Sequence, residues 1–254
     1  MTRRTFVLGA ATPFVVTACQ RHPSAAISPT AHSTAEEFTA EEFAAEEFTV
    51  RHHGTDVRCL FHDQLIGGDR EGCLLVVLLH GSGADATQWT DIGLVGAVDG
   101  LQLSLASAVH RVVAVAPDIA DPATAPDFVV DTLLPHVDVR FGPGMLAISG
   151  ISSGAASSLA VARDERSGMG SVGLHSPAIQ LRQRISPAAW SCYVDVGDDD
   201  PLARHAADTA DILRASGIEV SEHHWPGGHN RSYWRRHLPD YLAFHVHRAE
   251  RRSS

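Results

Sequence analysis

Two uninterrupted apolar runs, LLVVLL at residues 74–79 and VVAVA at 112–116, constrain the fold of this chain most. A run without alternating polar positions has no face for water, so each predicts a strand covered on both sides. Parallel sheets are covered in this way because their crossover helices lie on both faces. Shorter runs at 145–149, 171–175, 192–196 and 218–224 supply four more strands, and the segments near 100–111, 128–139, 154–163, 202–216 and 233–247 predict helices between or after them. Strands alternating with helices predict an α/β domain with a mainly parallel central sheet and helices on both faces. The interval between Pro177 and Trp190 is too short for a large lid domain, which predicts an open site.

The length of 254 residues suits one large domain with a full core. Apolar residues at 44% and charged residues at 20% exclude a fibre, a disordered chain and a multi-span transporter. Thirty acidic against twenty basic residues give a formal charge of −10, a field that repels phosphate backbones and argues against nucleic-acid binding.

The amino terminus reads as an address. Arg3 and Arg4 precede a mostly apolar run at 6–18, and a small residue precedes Cys19, the layout of a secretory signal. The run falls short of the roughly 20 residues of a spanning helix and Pro13 interrupts it, so removal is expected rather than permanent anchoring by this segment. Residues 2–8 resemble a twin-arginine export signal, and Val16-Thr17-Ala18-Cys19 resembles a lipobox. The expectation is a signal peptide at 1–18 and an exported lipoprotein held at the outer face of the membrane by lipid on Cys19, its one membrane contact.

Residues 19–48 are rich in Ser, Thr, Ala, Pro and Glu and carry three AEEF repeats, at 35–38, 40–43 and 45–48. A five-residue period steps about 140° around a helix, so the Phe residues line no common face and a flexible tether is expected. The domain is then placed at 49–254. Within it, residues 57–61 and 73–79 flank a Gly-rich turn and suggest a hairpin, which would allow a Cys59–Cys73 disulfide in an oxidising compartment; two buried thiols are the alternative.

The chemistry centres on Gly150-Ile151-Ser152-Ser153-Gly154. A G-x-S-x-G string alone is weak, but here it joins a predicted strand to a small-residue helix, GAASSLAVA, the setting of a nucleophile elbow. The turn is sharp enough that the residues two before and two after Ser152 must lack side chains. Downstream, three consecutive carboxylates, Asp198, Asp199 and Asp200, follow a predicted strand, and His229 lies in the Gly-rich Pro226-Gly227-Gly228-His229 loop after the last strand. That is the chain order Ser, acid, His. Asp200 before Pro201 would equally serve to cap a helix. His80-Gly81-Ser82-Gly83 follows LLVVLL, and backbone N–H groups of Ser82 and Ser153 could hold an oxyanion. No metal site is expected: the His pairs, including His223, His224, His245 and His247, show no separated third ligand and read as surface or packing residues.

HGSG, FVVDTLLPHVDVRF, GISSG, VDVGDDDP and WPGGHNRSYWRRHLPDYLAF together resemble the esterase branch of the α/β-hydrolases that includes S-formylglutathione hydrolases, enterochelin esterases and mycolyltransferases, over about residues 73–247. The resemblance implies an α/β-hydrolase fold. It also implies that the acid is the third residue after Gly197, which favours Asp200, that His229 is the base, and that Trp234 packs beside it or walls the substrate pocket. Ser82 stands where those proteins carry a bulkier residue, so no substrate class is inherited. The expected activity is a serine hydrolase that cleaves small-molecule or envelope-derived carboxylic esters through an acyl-enzyme, with no cofactor. Acyl transfer to an envelope acceptor, peptide cleavage and a non-catalytic binding role on the same scaffold are the competing readings.

Overall fold

A computed structural model describes residues 45–65, 72–103, 108–119, 121–141 and 144–252, so the expectations for the signal peptide, for Cys19 and for the first two AEEF repeats lie outside the described residues. Eight strands are present among them: β1 (Glu46–His52), β2 (Thr55–Leu65), β3 (Cys73–Leu79), β4 (Arg111–Pro117), β5 (Met145–Ile151), β6 (Ser171–His175), β7 (Ser191–Gly197) and β8 (Val220–Trp225). Helices α1 (Thr87–Asp91) and α2 (Leu94–Asp99) precede β4. A helical stretch, α3 (Ala125–Phe128), a π turn (Val129–Leu133) and α4 (Leu134–Phe141), leads into β5. Helices α5 (Ser153–Arg163), α6 (Ala203–Ala215) and α7 (Arg231–Arg252) follow β5, β7 and β8.

The strands form one sheet in the order β1-β2-β4-β3-β5-β6-β7-β8. β1, β2 and β4 pair antiparallel and every other pair is parallel. All seven residues of β3 are buried, as a strand at the centre of a two-faced sheet requires. Leu75, Val77 and Leu79 enter the core that holds Phe128, Leu133, Leu159 and Leu213, whereas Leu74, Val76 and Leu78 enter the one that holds Trp89, Leu94, Leu238 and Tyr241. The period of two along the strand thus divides one apolar run between two cores.

Three expectations are corrected. β2 and β3 are not a hairpin, because β4 inserts between them. Cys59 lies opposite Pro117 and Cys73 opposite Arg111, at opposite ends of β4. Six residues of strand separate those ends by about 20 Å, several times the Cα separation of a disulfide. Both thiols are free and buried, and burial is the main reason their pKa values rise, to about 12 for Cys59 and about 11 for Cys73. The tether also ends earlier than residue 48: the third repeat supplies Glu46, Glu47 and Phe48 to β1, with Phe48 packed on Phe61 and stacked on His136. Pairing with β2 outweighs the poor strand propensity of two glutamates, both of which are exposed. Finally, no helix lies at 101–111 among the described residues, and α1 and α2 stand upstream of it. Asp85 accepts from the Thr87 N–H at 2.8 Å to start α1, Gly93 turns the chain at φ +96°, and α2 ends at Gly100. No helix of the described residues is long and apolar enough to cross a membrane.

Candidate active site

β5 delivers Ser152 to the carboxyl edge of the sheet in a conformation that few residues adopt, φ +57° and ψ −116°. The flanking glycines make that turn sterically possible. A Cβ on Gly150 would stand 2.1 Å from the Gly154 carbonyl oxygen, and one on Gly154 would stand 2.4 Å from that of Leu79. The turn is held on its other side by β6: the Ser152 N–H donates to His175 O at 2.9 Å, and Ser152 O accepts from the Ala178 N–H at 3.0 Å.

His229 and Asp200 come from two loops joined by their backbones. Asp198 N–H donates to Trp225 O and Asp199 N–H to Gly227 O, each at 2.8 Å. The approach is so close that a Cβ on Gly197 would stand 2.1 Å from Gly227 O. This zipper leaves the Asp198 and Asp199 side chains exposed and turns the buried Asp200 carboxylate under His229. Asp200 Oδ2 accepts from His229 Nδ1 at 2.9 Å, and Asp200 Oδ1 accepts from the Leu202 N–H at 2.8 Å. The carboxylate meets the imidazole through Oδ2, while Oδ1 closes a turn ahead of α6, whose first residue is Ala203 and whose N-cap is Leu202, so the expected helix cap by Asp200 is not formed. On the far side of the imidazole, His229 Nε2 lies 3.1 Å from Ser152 Oγ. Three groups 77 residues apart at the extremes thus form a continuous Ser-His-Asp line, with the His229 side chain 29% exposed and that of Asp200 fully buried.

The turn after β3 comes to the same place. Gly81 N–H donates to Gln88 Oε1 at 2.7 Å, and the Ser82 and Ser153 hydroxyls are 2.8 Å apart. The segments expected to supply oxyanion donors are therefore adjacent, beside the amino end of α5. Of the two roles expected for Trp234, packing beside His229 or walling the pocket, its placement fits the first. It is buried, meets His229 edge to face at 5.1 Å, and donates its Nε1–H to Ser176 Oγ at 3.1 Å. It supports the imidazole from below. The segment at 177–190 crosses the region without helix or strand.

No group of three or more His, Cys, Asp or Glu residues is arranged to hold a metal ion among the described residues. A buried cluster of Ser149, His175, Asp195 and His245 was not foreseen as a unit. Its trace in the sequence is a polar residue within or at the end of each of three strands, Ser149 in β5, His175 at the end of β6 and Asp195 in β7, while His245 reads as a surface or packing residue.

No family model and no curated protein sequence matches the chain. Solved structures do. A ferulic acid esterase superposes with a TM-score of 0.66 at 17% identity, covering 81% of this chain and 100% of that one. An S-formylglutathione hydrolase from Staphylococcus aureus gives 0.59 at 13% identity over 80% of this chain and 96% of its own. An enterochelin esterase from Shigella flexneri gives 0.62 at 20% identity over 80% of this chain and 58% of its own. Likeness at such identities is likeness of fold, and together with the eight-stranded, mostly parallel sheet it shows that this chain has the α/β-hydrolase fold.

Proposed function

We propose that this protein is a serine hydrolase that cleaves carboxylic esters through an acyl-enzyme. The observation that carries the reading is the unbroken line from Ser152 Oγ to His229 at 3.1 Å and on to Asp200 at 2.9 Å, with the serine on a strained turn at a sheet edge. In this reading Ser152 attacks the acyl carbonyl while His229 Nε2 takes its proton. Asp200 holds the Nδ1–H tautomer and stabilises the imidazolium. Backbone N–H groups of Ser82 and Ser153 receive the oxyanion. His229 then returns the proton to the leaving alcohol, and water repeats the cycle on the acyl-serine. That the solved structures of similar fold include esterases adds support. The absence of helix or strand across 177–190 suits a bulky ester better than a small enclosed one.

The test is labelling of the full chain with a fluorophosphonate beside Ser152→Ala, with turnover of short and medium p-nitrophenyl esters. Labelling and turnover that vanish together in the variant are expected. A folded wild-type chain that neither labels nor hydrolyses would reject the reading. We further propose export and lipidation at Cys19, on the strength of the signal-like residues 1–19. Fatty-acid incorporation into the wild-type chain and none into Cys19→Ser is the expected result, and equal incorporation would refute it.

A further inference from the structure

Beneath Ser152 and His229 lies a second polar line, closed to solvent. Asp195 on β7 is fully buried and its carboxylate has three partners. Oδ1 accepts from His175 Nδ1 at 2.6 Å, and Oδ2 accepts from the phenol hydroxyls of Tyr233 and Tyr241, each at 2.8 Å. The line continues from His175 Nε2 to Ser149 Oγ at 3.0 Å, to His245 Nε2 at 2.8 Å, and from His245 Nδ1 to Ser171 Oγ at 2.7 Å. One order of protons satisfies every atom: Ser171 donates to His245, His245 to Ser149, Ser149 to His175, and His175 to Asp195. Burial lowers the His245 pKa to about 3, which keeps its ring neutral with one donor and one acceptor. A buried network satisfied throughout is stiff, because moving any member leaves a polar atom unpaired.

This line touches the reactive groups at two places. His175 O receives the Ser152 N–H, and the next residue, Ser176, donates its N–H to Asp195 O while its hydroxyl accepts from Trp234, which abuts His229. Tyr233 stands four residues after His229 and packs into the space left by Gly227, where a Cβ would lie 2.8 Å from its ring. Tyr241 bonds the same oxygen at the same distance, but from eight residues further along α7.

We propose that Asp195 and Tyr233 are positioning residues: the carboxylate, through that one hydroxyl, sets the place of the His229 loop relative to Ser152, which the same network holds through His175. The inference rests on the serine-hydrolase reading. Its test compares Tyr233→Phe with Tyr241→Phe in the full chain, beside wild type and Ser152→Ala. Each variant keeps its ring and removes one hydroxyl from the same buried oxygen, so a purely structural role lowers Tm and activity alike in both. Positioning predicts an equal fall in Tm, but a loss of about tenfold in kcat and in fluorophosphonate labelling rate for Tyr233→Phe alone, with KM held within about twofold and Tyr241→Phe within about twofold of wild type throughout. Equal effects on kcat, or a change confined to KM, would overturn the inference while leaving the hydrolase reading intact. A wild-type chain that fails to label would overturn both.

Discussion

Replacing Asp200 by Asn tests the candidate site at its most geometrically determined point. The two carboxylate oxygens have separate partners, Leu202 N–H on Oδ1 and His229 Nδ1 on Oδ2. Leu202 N–H can only donate, so the Asn carbonyl oxygen must occupy the Oδ1 position and the NH2 group must face His229. A donor there forces Nδ1 to accept and places the imidazole proton on Nε2, opposite Ser152 Oγ at 3.1 Å. The fold is kept and the base is lost. In triad hydrolases a wrong tautomer costs about 10⁴ in kcat, which corresponds to about 5.5 kcal/mol of transition-state stabilisation. Asp199, whose side chain is exposed and whose tie to the site is through its backbone N–H, should keep activity within about twofold on conversion to Asn, as surface substitutions usually do. The assay is kcat on p-nitrophenyl esters with the rate of fluorophosphonate labelling, at matched Tm. Asp200→Asn within tenfold of wild type, or Asp199→Asn as damaging as Asp200→Asn, would refute the assignment of the acid and the tautomer argument with it.

Other outcomes follow from the same structure. Gly150→Ala places a Cβ 2.1 Å from a backbone oxygen and should cost about 3 kcal/mol with loss of labelling, by thermal melting and probe assay. Gly96→Ala, within α2 with nothing near its would-be Cβ, should instead be neutral or stabilising by up to about 1 kcal/mol. In the folded full chain carrying Cys19→Ser, Ellman's reagent at neutral pH should find no reactive thiol, and three after denaturation; a single thiol after denaturation would mean that Cys59 and Cys73 are bridged after all. His245 has its pKa depressed to about 3 in the fold, so below about pH 6.5 the unfolded chain binds the extra proton. Its contribution to stability is complete above pH 6.5 and declines as pH falls, by up to about 1.4 kcal/mol per pH unit, levelling near pH 3. Denaturant titrations of wild type and His245→Asn between pH 4 and 7 should differ in slope by that amount, and parallel curves would contradict the burial argument.

Much of the scaffold was legible in the chain. The six strands from β3 to β8 lie close to their expected positions, most clearly β3 and β4, because a strand covered on both faces leaves a continuous apolar signature. The helices after β5 and β7 lie within a residue or two of their predicted bounds. The elbow was visible because glycines flank a serine at a strand-to-helix junction. Less was legible at β1 and β2. Two glutamates per repeat argue against a strand until a partner edge exists, and nothing local to 57–79 announces that β4 will insert between β2 and β3. The hairpin and its disulfide failed for that reason.

What the sequence determined by itself was the local grammar: which segments are strands or helices, and which turn must be built around Ser152. Such signals depend on near neighbours, through steric exclusion at Gly150 and Gly154 and through apolar periodicity. Tertiary structure decided which carboxylate meets the imidazole. Asp198, Asp199 and Asp200 are adjacent and chemically identical, and they are distinguished by the two backbone bonds that pin the first two to the loop of His229 and turn the third inward. It also decided that Ser149, His175, Asp195 and His245, far apart in the chain, would close into one buried network. A buried polar atom acquires meaning only from its partner, and these partners come from three strands and a helix spread over 96 residues.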